Sequence, residues 1–344
     1  MYRPVSSACI LGCAGPTLSA DERDFFRDLK PWGFILFRRN VETPNQVRAL
    51  VDALRETVGR GDAFVMVDQE GGRVQRLGPP HWPKYPPGRA YGETSANDPL
   101  TRRELTRLGA RLMAHDLRAL GINADAVPVL DVPAPGAHDI IGDRAYGRDA
   151  ETISVLGRAA AEGLLAGGVL PIIKHIPGHG RAGADSHEAL PVVDEAYEVL
   201  DATDFRPFRT LSDMPLAMSA HVVYTAIDLK YPATLSKKVI GKVIRKDLGF
   251  GGLLMTDDLS MKALTGDFAD RTAAALKAGC DVVLHCNGAM AEMQAVAKVV
   301  PRLKGQAKRR AEAAMARLVR VPEPLDEAEA RARFDQAFGT LLAA

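Results

Sequence analysis

The sequence predicts a closed (β/α)8 barrel, and two observations support that fold class. Eight short apolar runs rich in β-branched residues recur along the chain, and the segments between them have helical spacing or helix-capping residues. Regular alternation of strands and helices is typical of a parallel sheet, and eight such units are the number that closes a barrel. An open, doubly wound sheet is the competing arrangement.

The predicted strands span residues 8–12, 33–37, 64–67, 124–129, 169–173, 216–220, 252–256 and 281–284. Between them lie helical segments such as the one that starts at Thr43-Pro44, where threonine can cap a helix and proline suits its first turn. We expect extra C-terminal helices from about residue 305. Because no linker or repeat divides the chain, residues 1–344 are predicted to form one barrel domain.

Composition and charge limit the classes of function. The chain has 344 residues, 47% hydrophobic and 25% charged, which is enough to bury a large core. Lysine and arginine number 44 against 43 aspartates and glutamates, a balance that offers no electrostatic footprint for nucleic acid or an anionic membrane. We therefore predict a small-molecule substrate with no nucleic-acid or membrane partner, and we expect a monomer.

The N-terminus and the cysteines indicate the compartment. Met1 to Pro4 lead into a strand-like run without the apolar stretch and small-residue cleavage site that export needs. The cysteines at positions 9, 13, 280 and 286 match no common zinc pattern, and we expect them to be buried free thiols. Both observations predict a cytoplasmic protein.

One segment gathers polar residues that packing alone rarely brings together. Residues 174–180 read KHIPGHG and Asp185-Ser186-His187 follows, so three histidines and an aspartate lie on or just after the apolar run 169–173. Lys174 and His175 fall at the C-terminal end of this predicted strand, and the rest lies on a glycine-rich loop that could open and close. The segment therefore predicts a site.

Other polar residues also fall where predicted strands end. The catalytic residues of (β/α)8 barrels lie at the C-terminal ends of strands and in the loops that follow. In this chain such residues are Asp68 to Arg73 after the third strand, Asp131 and Asp143-Arg144 after the fourth, His221 after the sixth, and Asp257-Asp258 after the seventh. The sequence thus predicts one polar site at one end of the barrel.

Taken in order, these motifs resemble the bacterial β-N-acetylhexosaminidases of glycoside hydrolase family 3, of the single-domain type that acts in cell-wall recycling. The resemblance covers most of the chain, with GFILF at 33–37, VDQEGGRVQR at 67–76, GDR at 142–144, the signature at 174–187, AHV at 220–222, TDDLSM at 256–261 and AGCD at 278–281. Ile176, Ala145 and Tyr146 differ from the residues common in the family, and we expect these to be changes of packing.

The resemblance implies that the protein hydrolyses nonreducing terminal β-linked N-acetylglucosamine from peptidoglycan-derived anhydro-muropeptides with net retention. Such cleavage passes through an oxocarbenium-like transition state, which needs an anion at the anomeric carbon and a proton donor at the leaving oxygen. By resemblance, Asp257 is the nucleophile that forms a glycosyl-enzyme intermediate, and His187 is the general acid and base. Asp185 would orient the imidazole of His187 and favour its protonated form.

The resemblance also implies the sugar-binding residues and no cofactor or metal. Asp68 would accept hydroxyl groups of the terminal sugar, and the donors around that sugar would be Arg76, Arg144, Lys174 and His175. Asp258 is expected to cap a helix or to accept hydrogen bonds behind the site, and His179 is expected to shape the loop.

Four other interpretations stay open. A metal-dependent hydrolase could use His175, His179 and His187 with an aspartate, although Lys174 would then place a cation beside the metal. In substrate-assisted catalysis the acetamido group of the sugar would attack, and Asp257 or Asp258 would only stabilise it. Phosphorolysis is possible because histidine repels phosphate less than a carboxylate acid does. A carbohydrate-binding protein with an inactive barrel is the non-enzymatic alternative.

Overall fold

The computed structural model describes residues 6–94, 98–183, 185–186, 189–318 and 321–343. Eight parallel strands close into a barrel, which confirms the predicted fold class and excludes the open sheet. They pair in chain order, and the last strand pairs with the first. The strands are β1 (Ser7–Gly12), β2 (Pro31–Leu36), β3 (Phe64–Val67), β4 (Ala124–Asp125), β5 (Leu170–Ile176), β6 (Leu216–Ser219), β7 (Leu253–Asp258) and β8 (Val282–His285).

Helices follow the strands. They are Ala20–Leu29, Pro44–Val58, Gly88–Gly92, Pro99–Arg118, Ala150–Ala166, Tyr197–Ala202, Arg206–Thr210, the π-type helix Val239–Asp247, Phe268–Ala278, Met290–Val299, Gly305–Ala316 and Glu327–Ala343. The last two match the predicted C-terminal helices. Thr43 caps its helix as predicted, since its hydroxyl accepts the Gln46 N–H over 3.2 Å. Among the described helices, none combines the length and apolar character needed to cross a lipid bilayer.

The fourth strand is shorter than the predicted 124–129. Regular pairing covers only Ala124–Asp125. Beyond it the contact with β5 continues irregularly, because the carbonyls of Val127 and Pro128 accept the N–H groups of Ile172 and Lys174 over 3.0 and 3.1 Å, and the N–H of Leu130 donates to the carbonyl of Lys174 over 2.7 Å. This contact brings the end of the fourth barrel segment beside the end of β5.

The core has two layers, as the alternation of strand side chains requires. One row from each strand fills the barrel interior, as Ile10, Met66 and Met255 do, and the other packs against the helices. Ile176, Ala145 and Tyr146 are all buried, which agrees with changes of packing. The four cysteines are buried and free, as predicted. Burial raises the pKa of the Cys9 thiol to about 12.

Candidate active site

A cavity of about 180 Å³ lies at the C-terminal end of the barrel. Six of the eight predicted site residues line it, namely Asp68, Arg76, Arg144, Lys174, His175 and Asp257. Apolar side chains, among them Phe37, Ile140 and Met261, complete much of the wall. Asp185 is half-buried and directly precedes Ser186, which lines the cavity. His187, the predicted acid and base, lies outside the described residues.

Five alternating charges form a continuous chain along the cavity. Lys174 Nζ lies 3.0 Å from Asp68 Oδ1 and 2.6 Å from Glu70 Oε1. Arg76 donates to Asp68 over 2.9 Å, and Arg144 forms a bidentate pair with Glu70 over 2.8 and 2.9 Å. Because buried charges are retained only when they are paired, each member of this chain holds its neighbours in place.

The pairing keeps these carboxyl groups ionised. Burial opposes the charge of Asp68, but Lys174 and Arg76 outweigh it and hold the pKa of Asp68 well below its usual range. Burial also opposes the charge of Glu70, yet Arg144 and Lys174 lower its pKa to about 2. At neutral pH the cavity therefore presents fixed cationic donors and anionic acceptors, which suit the hydroxyl groups of a sugar.

A tight hairpin places Arg76 against Asp68. Gln69–Gly71 pairs antiparallel with Val74–Gln75 and returns the chain to the cavity within a few residues. The hairpin requires glycine at position 71, where φ is +90° and a Cβ would lie 2.2 Å from the carbonyl oxygen of Pro86.

Asp131 fixes the position of His175. Its Oδ2 lies 2.7 Å from His175 Nδ1, and its Oδ1 accepts the backbone N–H groups of His175 and His179 over 3.1 and 2.7 Å. Asp131 is fully buried, which disfavours its charge, but the charge of His175 outweighs burial and lowers the pKa of Asp131 to about 2. Since Nδ1 of His175 is engaged by Asp131, Nε2 is the ring nitrogen directed towards Asp257.

Asp257 faces the cavity from the end of β7. Its Oδ2 lies 4.0 Å from His175 Nε2, and its Oδ1 accepts the N–H of Asp258 over 2.8 Å. The preceding residues Leu253–Met255 are fully buried in the barrel, so the backbone before Asp257 is rigid. Asp257 does not cap the next helix, because Asp267 caps Phe268–Ala278.

Asp258 and His221 support this strand end. Asp258 Oδ1 accepts the N–H groups of Ser260 and Cys286 over 3.0 and 3.1 Å. His221 is fully buried and donates through Nε2 to the carbonyl of Asp258 over 3.0 Å. Asp258 accepts hydrogen bonds, as expected from the sequence, but it also lines the cavity and does not lie behind it.

Two residues, Glu70 and Asp131, were predicted only as polar residues at strand ends, without a role in the site. Both act on other side chains of the site. A signal for Glu70 was present, because residues two apart on an extended segment share a face and Glu70 follows Asp68 at that spacing. Asp131 ends the fourth barrel segment, as the predicted strand ends indicated, but its pairing with His175 depends on how neighbouring strands meet.

No group of three or more histidine, cysteine, aspartate or glutamate side chains within the described residues is arranged to hold a metal ion. The metal-dependent interpretation also invoked His187, which lies outside those residues.

Comparison with known proteins connects this geometry to one family. The glycosyl hydrolase family 3 N-terminal domain matches residues 13–321. A β-hexosaminidase from Methylobacillus flagellatus is 39% identical over 282 residues, which are 81% of this chain and 80% of the relative. A β-hexosaminidase from Methylococcus capsulatus is 41% identical over 277 residues, which are 79% of this chain and 80% of the relative.

Solved structures are also similar to this chain. The crystal structure of NagZ from Neisseria gonorrhoeae in complex with N-trifluoroacetyl-D-glucosamine has a TM-score of 0.83 at 28% identity and covers 98% of both chains. A glycoside hydrolase family 3 β-N-acetylglucosaminidase from Paenibacillus sp. FPU-7 has a TM-score of 0.83 at 32% identity, over 96% of this chain and 66% of that chain.

Proposed function

Because this chain belongs to glycosyl hydrolase family 3, we propose that it is a retaining exo-β-N-acetylglucosaminidase that works through a covalent glycosyl-aspartate intermediate. The observation that carries the proposal is the carboxylate of Asp257, which stands on a rigid strand end in a small, charge-lined cavity. A retaining glycosidase needs such an anion against the anomeric carbon.

Asp257 acts as the nucleophile in the proposed mechanism. One carboxylate oxygen attacks the anomeric carbon as the bond to the aglycone oxygen breaks, and the aglycone leaves with a proton from the acid. Water then attacks the same carbon after giving its proton to the base, and the ester to Asp257 breaks. Two inversions give net retention.

His187 supplies and removes that proton, with Asp185 orienting it. The support from the described residues is that Ser186, which directly precedes His187 in the sequence, lines the cavity. Imidazole titrates near neutral pH and can serve as acid in the first step and base in the second.

The chain of charges binds the terminal sugar. Asp68 accepts its hydroxyl groups, and the donors are Arg76, Arg144, Lys174 and His175. A cavity of about 180 Å³ suits one terminal sugar and thus action at a chain end. The NagZ complex supports an N-acylated glucosamine in this cavity, because that protein was crystallised with N-trifluoroacetyl-D-glucosamine.

The natural substrate that we propose is a peptidoglycan-derived anhydro-muropeptide, cleaved in the cytoplasm by a monomer. The motifs at 67–76 and 174–187 support it through their resemblance to the cell-wall recycling enzymes. Digestion of purified anhydro-muropeptides, followed by mass spectrometry, tests this proposal. Release of N-acetylglucosamine is expected, and its absence from every muropeptide would overturn the assignment of substrate.

A chromogenic assay and a trapping experiment test the reaction type. The enzyme should release 4-nitrophenol from the β-N-acetylglucosaminide at least tenfold faster than from the β-glucoside. A 5-fluoro N-acetylglucosaminyl fluoride, which keeps the acetamido group, should leave a sugar covalently bound to Asp257 that peptide mass spectrometry locates. Turnover without a trapped ester would favour substrate-assisted catalysis. A glycosyl phosphate formed in phosphate buffer would show phosphorolysis instead.

A further inference from the structure

Ser186 is held by two hydrogen bonds from different parts of the molecule. Its Oγ lies 3.2 Å from His179 Nε2, and its carbonyl accepts the N–H of Ala263 over 3.2 Å. Ser186 is 3% exposed and lines the cavity. In the sequence it stands between Asp185 and His187, so its contacts hold the residue that joins the two.

His179 is itself firmly placed. Its backbone N–H donates to Asp131 over 2.7 Å, and its ring lies edge-on to His175 with 5.6 Å between ring centroids. Burial lowers the pKa of His179 to about 4, so the ring is neutral near pH 7 and can share one hydrogen with the Ser186 hydroxyl. Through His179, Ser186 is therefore connected to Asp131, the carboxylate that orients His175.

The second contact comes from the loop behind the nucleophile. Ala263 follows β7 on a compact turn in which the N–H of Met261 donates to the carbonyl of Asp258 over 3.2 Å. The same turn is anchored by Asp258, whose carboxylate accepts the N–H of Ser260. The segment of Asp185 and Ser186 is thus hydrogen-bonded to the loop that extends from Asp257.

From these contacts we infer that Ser186 and His179 are positioning residues that set the place of the acid/base segment relative to Asp257. The inference rests on the proposed function, in which His187 transfers the proton. Neither residue takes part in the chemistry itself. Their hydrogen bond is the side-chain contact that holds Ser186 in the cavity wall, in addition to its backbone contact with Ala263.

The expected effect depends on the leaving group. A small misplacement of an acid slows substrates whose aglycone needs protonation, whereas activated aryl glycosides need little. A single neutral hydrogen bond is worth enough to shift a rate by roughly three- to tenfold. Ser186→Ala should therefore lower kcat/KM about three- to tenfold for phenyl or 4-methylphenyl glycosides and less than twofold for a 2,4-dinitrophenyl glycoside.

Conservative variants distinguish a positioning role of Ser186 and His179 from a general loss of structure. Ser186→Thr keeps the hydroxyl and should restore most of the lost rate. His179→Gln can present an amide near the place of Nε2, whereas the shorter His179→Asn cannot, so Gln should retain more activity on poor leaving groups. Ser212→Ala, on the loop before β6 at the opposite end of the barrel, is the matched control and should behave as the wild type on every substrate.

The experiment compares kcat/KM across a series of aryl leaving groups for each variant, with thermal unfolding to show that each is folded. In a His187→Ala background, Ser186→Ala should cause no further loss on poor leaving groups. If His187→Ala is selective for poor leaving groups but Ser186→Ala matches the wild type, or loses equally on all substrates, the positioning role is overturned. If His187→Ala is not selective, the proposed acid fails instead.

Discussion

His175 stands between two carboxylates, with Nε2 lying 4.0 Å from Asp257 Oδ2 and Nδ1 lying 2.7 Å from Asp131 Oδ2. One end of the ring is fixed in the barrel wall, and the other meets the proposed nucleophile. The position of the His175 ring beside Asp257 therefore depends on Asp131.

Asp131→Asn should reduce kcat/KM by about 10- to 100-fold. The substitution replaces a negatively charged carboxylate by a neutral amide, which holds the His175 ring less firmly. The variant should also unfold at lower urea concentration, since a charge-assisted hydrogen bond contributes about 1.5–3 kcal/mol. Asp143→Asn is the control, because Asp143 pairs with Arg73 at the surface, where its side chain is 47% exposed. Similar losses in both variants would contradict a specific role for Asp131.

Variants of the neighbouring residues Asp257 and Asp258 test which of the two carboxylates is the nucleophile. Asp257→Ala should lower turnover by at least about 1,000-fold on all aryl glycosides, because it removes the proposed nucleophile. Asp258→Asn should retain measurable turnover and chiefly lose stability, since its oxygens bind the N–H groups of Ser260 and Cys286. Rate assays and urea unfolding of both variants make the test. A reversed order of activity would assign the nucleophile to Asp258.

The positions of the site residues could be predicted because parallel strands end at the same rim. Asp68, Lys174 and Asp257 each follow an apolar run, and closure of the barrel brings their side chains together. Their positions at the ends of predicted strands were enough to predict that these side chains meet. Their mutual distances could not be predicted, because they depend on the register between strands and on the turn that returns Arg76 to Asp68.

Supporting residues were harder to predict for a physical reason. Glu70 pairs with Lys174 and Arg144, which come from distant positions in the chain, and nothing local to residue 70 indicates either partner. The shortened fourth strand is a similar case, although Pro128 is a local signal. A proline predicts an irregular ladder, but only the pairing with β5 shows which hydrogen bonds remain around it.

Glu70→Gln tests the chain of charges. The substitution removes the ion pairs of Glu70 with the buried cations Arg144 and Lys174. Breaking a buried ion pair costs about 3–5 kcal/mol of stability. These two cations, which we propose bind the sugar, should also lose their fixed geometry, so KM should rise about tenfold with a smaller change in kcat. Urea unfolding and steady-state kinetics measure both effects. Unchanged stability together with unchanged KM would show that Arg144 and Lys174 do not depend on Glu70.

Buried histidines predict how stability varies with pH. Burial lowers the pKa values of His179, His221 and His285, that of His179 to about 4. Because the unfolded chain binds these protons at a pKa of about 6.5, it takes up more protons than the native state as pH falls below about 6.5, and for His179 this window extends to about pH 4. Each fully shifted histidine therefore costs about 1.4 kcal/mol per pH unit across that window.

The free energy of unfolding should accordingly fall between pH 7 and pH 5 and change little from histidine above pH 7. Urea titrations at half-unit pH steps measure this dependence, and His179→Gln should reduce its slope because glutamine takes up no proton. The wild type and Ser212→Ala should share the full slope. A free energy of unfolding that stays level or rises as pH falls from 6.5 to 5 would contradict neutral, buried imidazoles at these positions.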